Sequence, residues 1–440
     1  LKKAILAGLT TVLATGLLYG CGSSNENGAG SGSNANDAEK VELKWWVKQD
    51  EEAIGGWYDK VIAGFQKDNP NVTIKKEVVP SDNINEKISI AANTNQLPDI
   101  EQGSFFWPLS YASKDLLVPL DDAIDKDDFD SAVLDAVSVN GKTYISPNSV
   151  ATIGLIVNKD MFKAKGALDL LPKNMSFWTT DQFMKAAKAV TDPAKGQYGY
   201  AMYAADTGGD QAHHAMLWGF GAKTFSDDNK TATLNSPEGV EGLQFLVSLF
   251  DAKVVPPGAA GLKATEVINK MFPAGQIGMT MGNVGHLGIF EQAFKEGNGT
   301  KFDMDLVPFP SKDGKSTNTA LFGDGMWVWN TGNRTKMDWA KKFVAYANSK
   351  ESVEDFAKLP SVISPRKSLA HLYAEDSFQG KSIKLLPYVG NIGLGVPGYP
   401  ETRAAFFPAL QAAFTKVKTP KQALDDWTAK ANEIIARNAK

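Results

Sequence analysis

Val41-Glu42-Leu43-Lys44-Trp45-Trp46-Val47, then Trp57, Val61, Ile62 and Phe65 at helical spacing, then Val72-Thr73-Ile74-Lys75-Lys76-Glu77-Val78-Val79, reads as strand, helix, strand. Side chains alternate across a strand, so Trp45 and Trp46 face opposite sides; one is expected in the core and the other at the border of a cleft. The helix ends before Asn69-Pro70-Asn71, because proline has no amide hydrogen to continue it. A second helix carrying Ile84, Ile88, Ile90 and Ala91 leads to a short strand entered at Leu97-Pro98-Asp99-Ile100. This alternation predicts βαβ units, a mainly parallel sheet and an α/β fold.

The same signals continue downstream. Thr179 and Gln182 have capping-box spacing, and Trp178 just before the cap is placed to staple onto Phe183. Ser236-Pro237-Glu238 opens a helix with Val240, Leu243, Leu246, Val247 and Phe250 on one stripe, and Thr419-Pro420-Lys421-Gln422 repeats the device. The helix behind Thr419 places Leu424, Trp427, Ala431, Ile434 and Ile435 on one face, which assigns Trp427 to the core.

Upstream of the first strand the character changes. From Gly22 to Glu39 the chain is almost all Gly, Ser, Asn and Ala, the composition of a flexible tether. Before it, Lys2 and Lys3 precede an apolar run from Ala4 to Leu18, about 15 residues, the length of a signal-peptide core rather than a membrane span. Leu18-Tyr19-Gly20-Cys21 resembles a bacterial lipobox, with Tyr19 departing from the usual small residue. The expectation is a lipoprotein signal peptide over 1–20, lipid on Cys21, a tether over 21–40, and a body outside the cytoplasm held at the cell membrane. No later segment approaches 18 continuous apolar residues, so any transport role needs separate membrane subunits.

Composition narrows the function. With 43% hydrophobic and 22% charged residues the chain buries a sizeable core, and 40 Gly with 21 Pro is too few for a collagenous or low-complexity protein. A net charge of −4 provides no positive field to hold nucleic acid. Cys21 is the single cysteine, which leaves no internal disulfide and no multi-thiolate metal site. Three apparent motifs fail on their own chemistry. Asp313-Gly314-Lys315-Ser316 resembles the end of a phosphate loop, but Phe309 occupies the position of its first glycine. Asp125 to Asp130 resembles a calcium loop, but Phe129 stands where an oxygen ligand is needed and Asp130 where glycine is. His213 and His214 are adjacent rather than a helical turn apart, and the remaining histidines are His286 and His371, so neither a metal nor a cofactor is expected. No G-x-S-x-G elbow is present, although a pair of glycosidase carboxylates remains open.

Ordered landmarks across residues 41–440 resemble the family 1 extracellular solute-binding proteins, the sugar receptors of ABC importers related to maltose-binding protein. They are Trp45-Trp46; Ala91-Ala92-Asn93-Thr94-Asn95-Gln96-Leu97-Pro98-Asp99-Ile100; Leu117-Val118-Pro119-Leu120-Asp121; and Gly141-Lys142-Thr143-Tyr144-Ile145-Ser146-Pro147 leading to Gly154-Leu155-Ile156-Val157-Asn158-Lys159-Asp160-Met161-Phe162. Further on come Trp178-Thr179, Phe272-Pro273-Ala274-Gly275-Gln276-Ile277-Gly278-Met279 and Phe322-Gly323-Asp324-Gly325-Met326-Trp327. The resemblance implies a two-lobed, hinge-bending periplasmic-binding-protein-like fold of type II with a ligand cleft between the lobes. Lobe 1 would comprise 41–150 and 310–365, and lobe 2 would comprise 151–309 and 366–440. It further implies a monomer that captures a carbohydrate, an oligosaccharide in the first instance, by hinge closure and passes it to ABC permease subunits, without catalysis. The alternatives are an exported glycoside hydrolase and a receptor for a non-sugar solute such as a peptide.

Open α/β sheets bind ligands beyond the carboxyl ends of their strands, so the loops after strands are the places to look. A sugar offers an apolar face and a rim of hydroxyls, which calls for aromatic platforms beside planar hydrogen-bonding groups. Gly103-Ser104-Phe105-Phe106-Trp107-Pro108 supplies three aromatics in one loop, with Trp107 the first choice of platform and Phe105 and Phe106 beside it. The resemblance places Lys48, Gln49 and Asp50 at the rim, Asn283 on a ligand-facing segment, and Arg366 in a proline-containing basic loop, while strand alternation makes Trp46 the candidate at the cleft border. Asp206 and Trp218 flank a glycine-rich loop, Asp324 and Trp327 lie where glycines permit close approach, and Tyr399 sits between Gly398 and Pro400.

Overall fold

The first run is strand β1 (Val41–Val47), and Trp57–Asp68 is the helix that returns the chain to β2 (Val72–Val78) at its side. These features belong to a computed structural model that describes residues 39–48, 54–79, 84–206 and 208–439. The expected signal peptide, Cys21, nearly all of the tether, Gln49 and Asp50 lie outside the described residues. The chain divides into Leu1–Glu39 and one compact unit from Lys40 to Lys440.

The helix Ile84–Asn93 precedes β3 (Ile100–Ser104), and the short β4 (Ser138–Val139) and β5 (Lys142–Thr143) form a hairpin. Asn140 and Gly141 turn that hairpin with φ of 52° and 75°, the left-handed pair that a tight Asn-Gly turn requires. Then β6 (Ser146–Thr152) runs through Ile153 alone into β7 (Gly154–Asn158). The remaining strands are β8 (Tyr198–Ala201), β9 (Ile277–Gly282), β10 (Met304–Val307) and β11 (Leu321–Val328). They make a five-stranded sheet ordered β2-β1-β3-β11-β6 and a four-stranded sheet ordered β10-β7-β9-β8.

The chain crosses between these sheets at Ile153 and again between Val307 and Leu321. Those crossings correct the expectation of mainly parallel strands. β2, β1 and β3 are parallel, but β11 is antiparallel to both β3 and β6, and β7 is antiparallel to β9 and β10. A strand that enters its sheet from the crossing must run away from it, against strands that end there. The carboxyl ends of β1, β3 and β6 in one sheet, and of β8, β9 and β10 in the other, therefore all face the crossing.

The two indoles at the head of the fold do part company, as strand alternation requires. Trp45 is fully buried among Trp57, Tyr58 and Phe343, with ring centroids at 6.4, 5.1 and 5.1 Å, each edge-on. Aromatic pairs of this geometry add about 0.5 to 1.5 kcal/mol each beyond the area they bury. Trp46 lies on the opposite face in a cross-strand row with Glu77, Glu101 and Trp327. Its indole N–H donates to Glu77 at 3.0 Å, and the Lys87 ammonium sits 4.1 Å over its ring. Trp46 thus packs against Glu77 and Lys87 on the face of its sheet opposite Trp45. Ile90, counted on the apolar stripe of its helix, is instead 56% exposed.

The helix starts follow the sequence closely. Both capping boxes form, at Thr179 and at Thr419; Trp178 meets Phe183 edge-on at 5.7 Å; Ser236 caps the helix Pro237–Asp251. The last two helices, Tyr399–Phe414 and Pro420–Asn438, pack on each other and on Pro237–Asp251, with Trp427 buried between them.

Candidate functional site

The loop after β3 folds back on its own sheet. Phe105 covers Gly323, where a Cβ would come within 2.1 Å of its ring, and Trp107 covers Gly103, where a Cβ would come within 2.0 Å. Glycine is needed at both positions to admit the protein's own aromatics, rather than a ligand. Trp107 also meets the wholly buried Trp327 edge-on at 6.4 Å. Phe105 and Trp107 are consequently core residues, which corrects their assignment as platforms, and Trp327, expected where glycines permit close approach to a ligand, is core as well. Phe106 alone reaches across. Its ring touches Phe322 at 5.3 Å, lies nearly parallel to Tyr399 at 6.3 Å and 19°, and carries the Arg403 guanidinium at 4.8 Å.

Tyr399 and Arg403 occupy the first turns of the helix Tyr399–Phe414, which packs on the helix Asp210–Trp218 of the second sheet's side. Arg403 grips Asp210 with Nε at 2.5 Å and Nη2 at 3.0 Å, a two-point fork on a carboxylate that is 1% exposed. Burial works against the guanidinium's charge, and the Asp210 carboxylate more than offsets it, holding Arg403 above its ordinary pKa. Next to Asp210, the Gln211 side chain is fully buried with both amide atoms lacking a hydrogen-bond partner among the described residues; the Tyr399 hydroxyl is in the same position. Arg403, Asp210 and Gln211 escaped the sequence reading. The available signal was spacing: Arg403 lies four residues after Tyr399, on the same helical face.

Other expected residues are placed near the crossing but already have occupations. Lys48, following β1, pairs with Asp324 near the start of β11 at 2.5 Å, both about one-fifth exposed. Asp206 accepts from the amides of Gly208 at 2.9 Å and Ala264 at 3.0 Å, so it fixes its own loop. Asn283, after β9, accepts from the Gly285 amide at 2.9 Å. Trp218 donates to Thr224 at 2.9 Å and rests on Gly390, where a Cβ would come within 2.4 Å, so its ring buttresses a loop.

Arg366 requires a further correction. It bonds Asp128 at 2.7 Å and the Asn348 carbonyl at 3.2 Å, and lies 4.7 Å over Phe129. Asn348 in turn bonds the carbonyl of Ser146, at the end of β6 remote from the crossing. Its donors serve the fold. Asp128, part of the acidic run, is held below its ordinary pKa: burial raises it, and the bonds from Arg366 and Ser368 together outweigh that.

Open space lies off this cluster, one cavity of it at the crossing, where Leu321 ends the first ladder. A cavity of about 640 Å³ borders Asp130, Ser138, Asn229, Leu321 and Asn391, and one of about 700 Å³ borders Trp46, Gln96, Asp99 and Lys336. Neither is lined by Phe106, Tyr399 or Arg403. The Phe106 cluster is in mutual contact, and residues that meet face to face leave no void between them.

Two α/β lobes joined by strand crossings, with their carboxyl ends turned to the crossing, define a two-lobed, hinge-bending solute-binding protein. Residues 60–381 match the bacterial extracellular solute-binding protein family, and the chain belongs to that family. It is thus a binding protein rather than an enzyme, and works outside the cytoplasm. It is similar to a putative binding protein of Brucella abortus, 22% identical over 410 residues that cover 92% of this chain and 95% of that protein. It is also similar to the arabinooligosaccharide-binding protein of Bacillus subtilis, 24% identical over 452 residues, covering 94% and 95%. In three dimensions it matches the cyclic α-maltosyl-1,6-maltose binding protein of Arthrobacter globiformis with a TM-score of 0.74 and 23% identity, over 90% of this chain and all of that one.

Proposed function

We propose that this protein captures a carbohydrate, in the first instance an oligosaccharide, between its lobes and hands it intact to the membrane subunits of an ABC importer. The Phe106–Tyr399–Arg403–Asp210 cluster carries the reading. It joins the loop after β3 to the helix that packs on the other sheet's side, and it sets two parallel rings beside a charge pair and an unpartnered buried amide at Gln211. Rings that stack on an apolar sugar face, next to groups that bond its hydroxyls, are what a saccharide needs. The names of the Bacillus and Arthrobacter relatives, both oligosaccharide binders, support the same class.

Capture works by differential affinity: a ligand touching both lobes stabilises the closed form over the open one. A hundredfold preference corresponds to about 2.7 kcal/mol. We assign 41–152 with 321–372 to lobe 1 and 154–307 with 399–440 to lobe 2, which moves the expected bounds at 150/151 and 365/366, because Thr152 belongs to β6 and Arg366 bonds Asp128 and Asn348; the packing of the two last helices on Pro237–Asp251 supports the second assignment. Lipid on Cys21, in the lipobox-like Leu18-Tyr19-Gly20-Cys21, would hold the protein at the membrane near its transporter.

Calorimetric titration with arabinooligosaccharides, maltotetraose, cyclic α-maltosyl-1,6-maltose and a mixed tetrapeptide tests the ligand class. Saturable heat from at least one saccharide, with every saccharide recovered intact, is the expected result. Binding of the peptide with silence from all saccharides would replace carbohydrate by peptide.

A further inference from the structure

Between the two sheets the regular ladders stop. The first ends at the Leu321–Thr152 pair, and the second begins at Gly154–Gly282 and Leu155–Val307. Ile153, the residue between them, has its backbone satisfied by a side chain. Its N–H donates to Thr319 Oγ1 at 2.9 Å, with Ala320 O a second acceptor at 3.3 Å, and its C=O accepts from the Thr319 hydroxyl at 2.7 Å. Thr319 also binds the third segment at this level: its N–H donates to Tyr388 O, and its C=O accepts from Gly390 N–H, both at 2.9 Å. Beside it, the Thr152 N–H donates to Ser382 Oγ at 3.1 Å and the Thr152 hydroxyl to Ser382 O at 2.7 Å. Thr152, Thr319 and Ser382 are all buried.

We infer that the Thr319 hydroxyl is the pivot of lobe closure, a positioning group that sets the balance between open and closed forms without touching the solute. A backbone ladder would fix the angle between the crossing strands. A hydroxyl on one rotatable bond follows Ile153 as the strands turn, and keeps a buried N–H and C=O paired at each angle. Loss of the hydroxyl leaves the Ile153 C=O without its donor and its N–H with only the long bond to Ala320 O where water is excluded, so the molecule shifts to the arrangement in which water reaches them, the open one. The inference rests on the reading that the lobes close on a solute, and it names what regulates that closure.

The test compares full-length wild type with Thr319→Val, which keeps the shape and loses the hydroxyl, and Thr319→Ser, which keeps the hydroxyl. Hydrogen exchange resolved to single amides and small-angle scattering are both read without any sugar. Expected are at least tenfold faster exchange at Ile153 in Thr319→Val, unchanged exchange at Ile156 and Val157 within β7, a more extended scattering profile for Thr319→Val, and wild-type behaviour of Thr319→Ser. Coincident scattering profiles for the two variants, equal exchange at Ile153, or faster exchange spread through β7 would each overturn the pivot. Should Thr319→Val not fold, Thr319→Ala removes the same hydroxyl with less bulk, with tenfold faster exchange expected at the Ile153 amide and no change overturning the inference. Because no saccharide enters either measurement, a failure here leaves the carbohydrate reading standing, and silence of the saccharide panel leaves the pivot standing.

Discussion

Phe106 and Tyr399 lie nearly parallel, 6.3 Å apart between ring centres, although 293 positions separate them in the chain and they belong to elements on different sheets' sides. A sugar that enters between the lobes has to part these rings or slide along them, so truncating one should be felt in affinity more than in folding. Phe106→Ala is expected to weaken saccharide binding by at least about 1 kcal/mol, roughly fivefold, as measured by calorimetry. Trp107→Ala should act the other way round. That indole fills the space over Gly103, and its loss should cost about 3 to 5 kcal/mol of stability in denaturant unfolding. Unchanged affinity in Phe106→Ala would remove Phe106 from the site.

Arg403 and Asp210 form the most deeply buried charge pair of this region, and a broken pair costs more than an absent one. Arg403→Met should lower stability by about 3 to 5 kcal/mol, because Asp210, whose pKa burial already raises, loses its partner at 1% exposure. Adding Asp210→Asn should recover a substantial part of the loss, since the orphaned carboxyl goes too. A double mutant as unstable as the sum of the two singles would show that the pair is not coupled.

The fold was readable because its determinants are local. Capping boxes at Thr179 and Thr419 and the opposed Trp45 and Trp46 depend on neighbours in sequence. The site was readable only in part, for a physical reason. Whether an aromatic is a platform or a filler depends on what lies over it, and Gly103 and Gly323 sit on strands that pair only after the chain has crossed to the other sheet and returned. The same glycines that suggested room for a ligand make room for Trp107 and Phe105. Arg366 misled similarly, since its partners Asp128 and Asn348 come from distant segments. Strand direction was missed because alternation of helix and strand does not announce a crossing.

His213, His214 and His286 are pushed by burial to about 4, 3 and 4, below the ordinary imidazole value of 6.5. A group with a depressed folded-state pKa stays neutral in the native protein while its unfolded counterpart takes up a proton below about pH 6.5. These histidines should therefore contribute stability above pH 6.5 that is lost as the pH falls toward 4. Near pH 5 they make unfolding take up about three protons, each worth about 1.4 kcal/mol per pH unit. Denaturant melts from pH 7 to pH 5 measure the slope. His214→Phe should flatten it, its ring being already stacked on Phe406 at 4.2 Å. A slope identical to wild type would show that His214 titrates normally.

Glu101 works with the opposite sign. It is fully buried in the row beside Trp46 and Trp327; one carboxyl oxygen accepts from Trp329 Nε1 at 2.9 Å and the other has no partner among the described residues. Burial pushes its pKa up to about 8, against smaller opposing pulls from Trp329 and Lys87. The native protein keeps the proton between pH 4.5 and 8 while the unfolded chain releases it. Folding is thus penalised increasingly as the pH rises through that window, by about 1.4 kcal/mol per unit, and the penalty levels off above pH 8. Glu101→Gln removes the ionisation but keeps an oxygen for Trp329. It should match wild type near pH 4.5, exceed it by a few kcal/mol at pH 8, and show no pH-dependent difference above that. Wild-type stability that equals or exceeds that of Glu101→Gln at pH 8 would mean that the carboxylate is ionised in the fold and that its second oxygen is solvated.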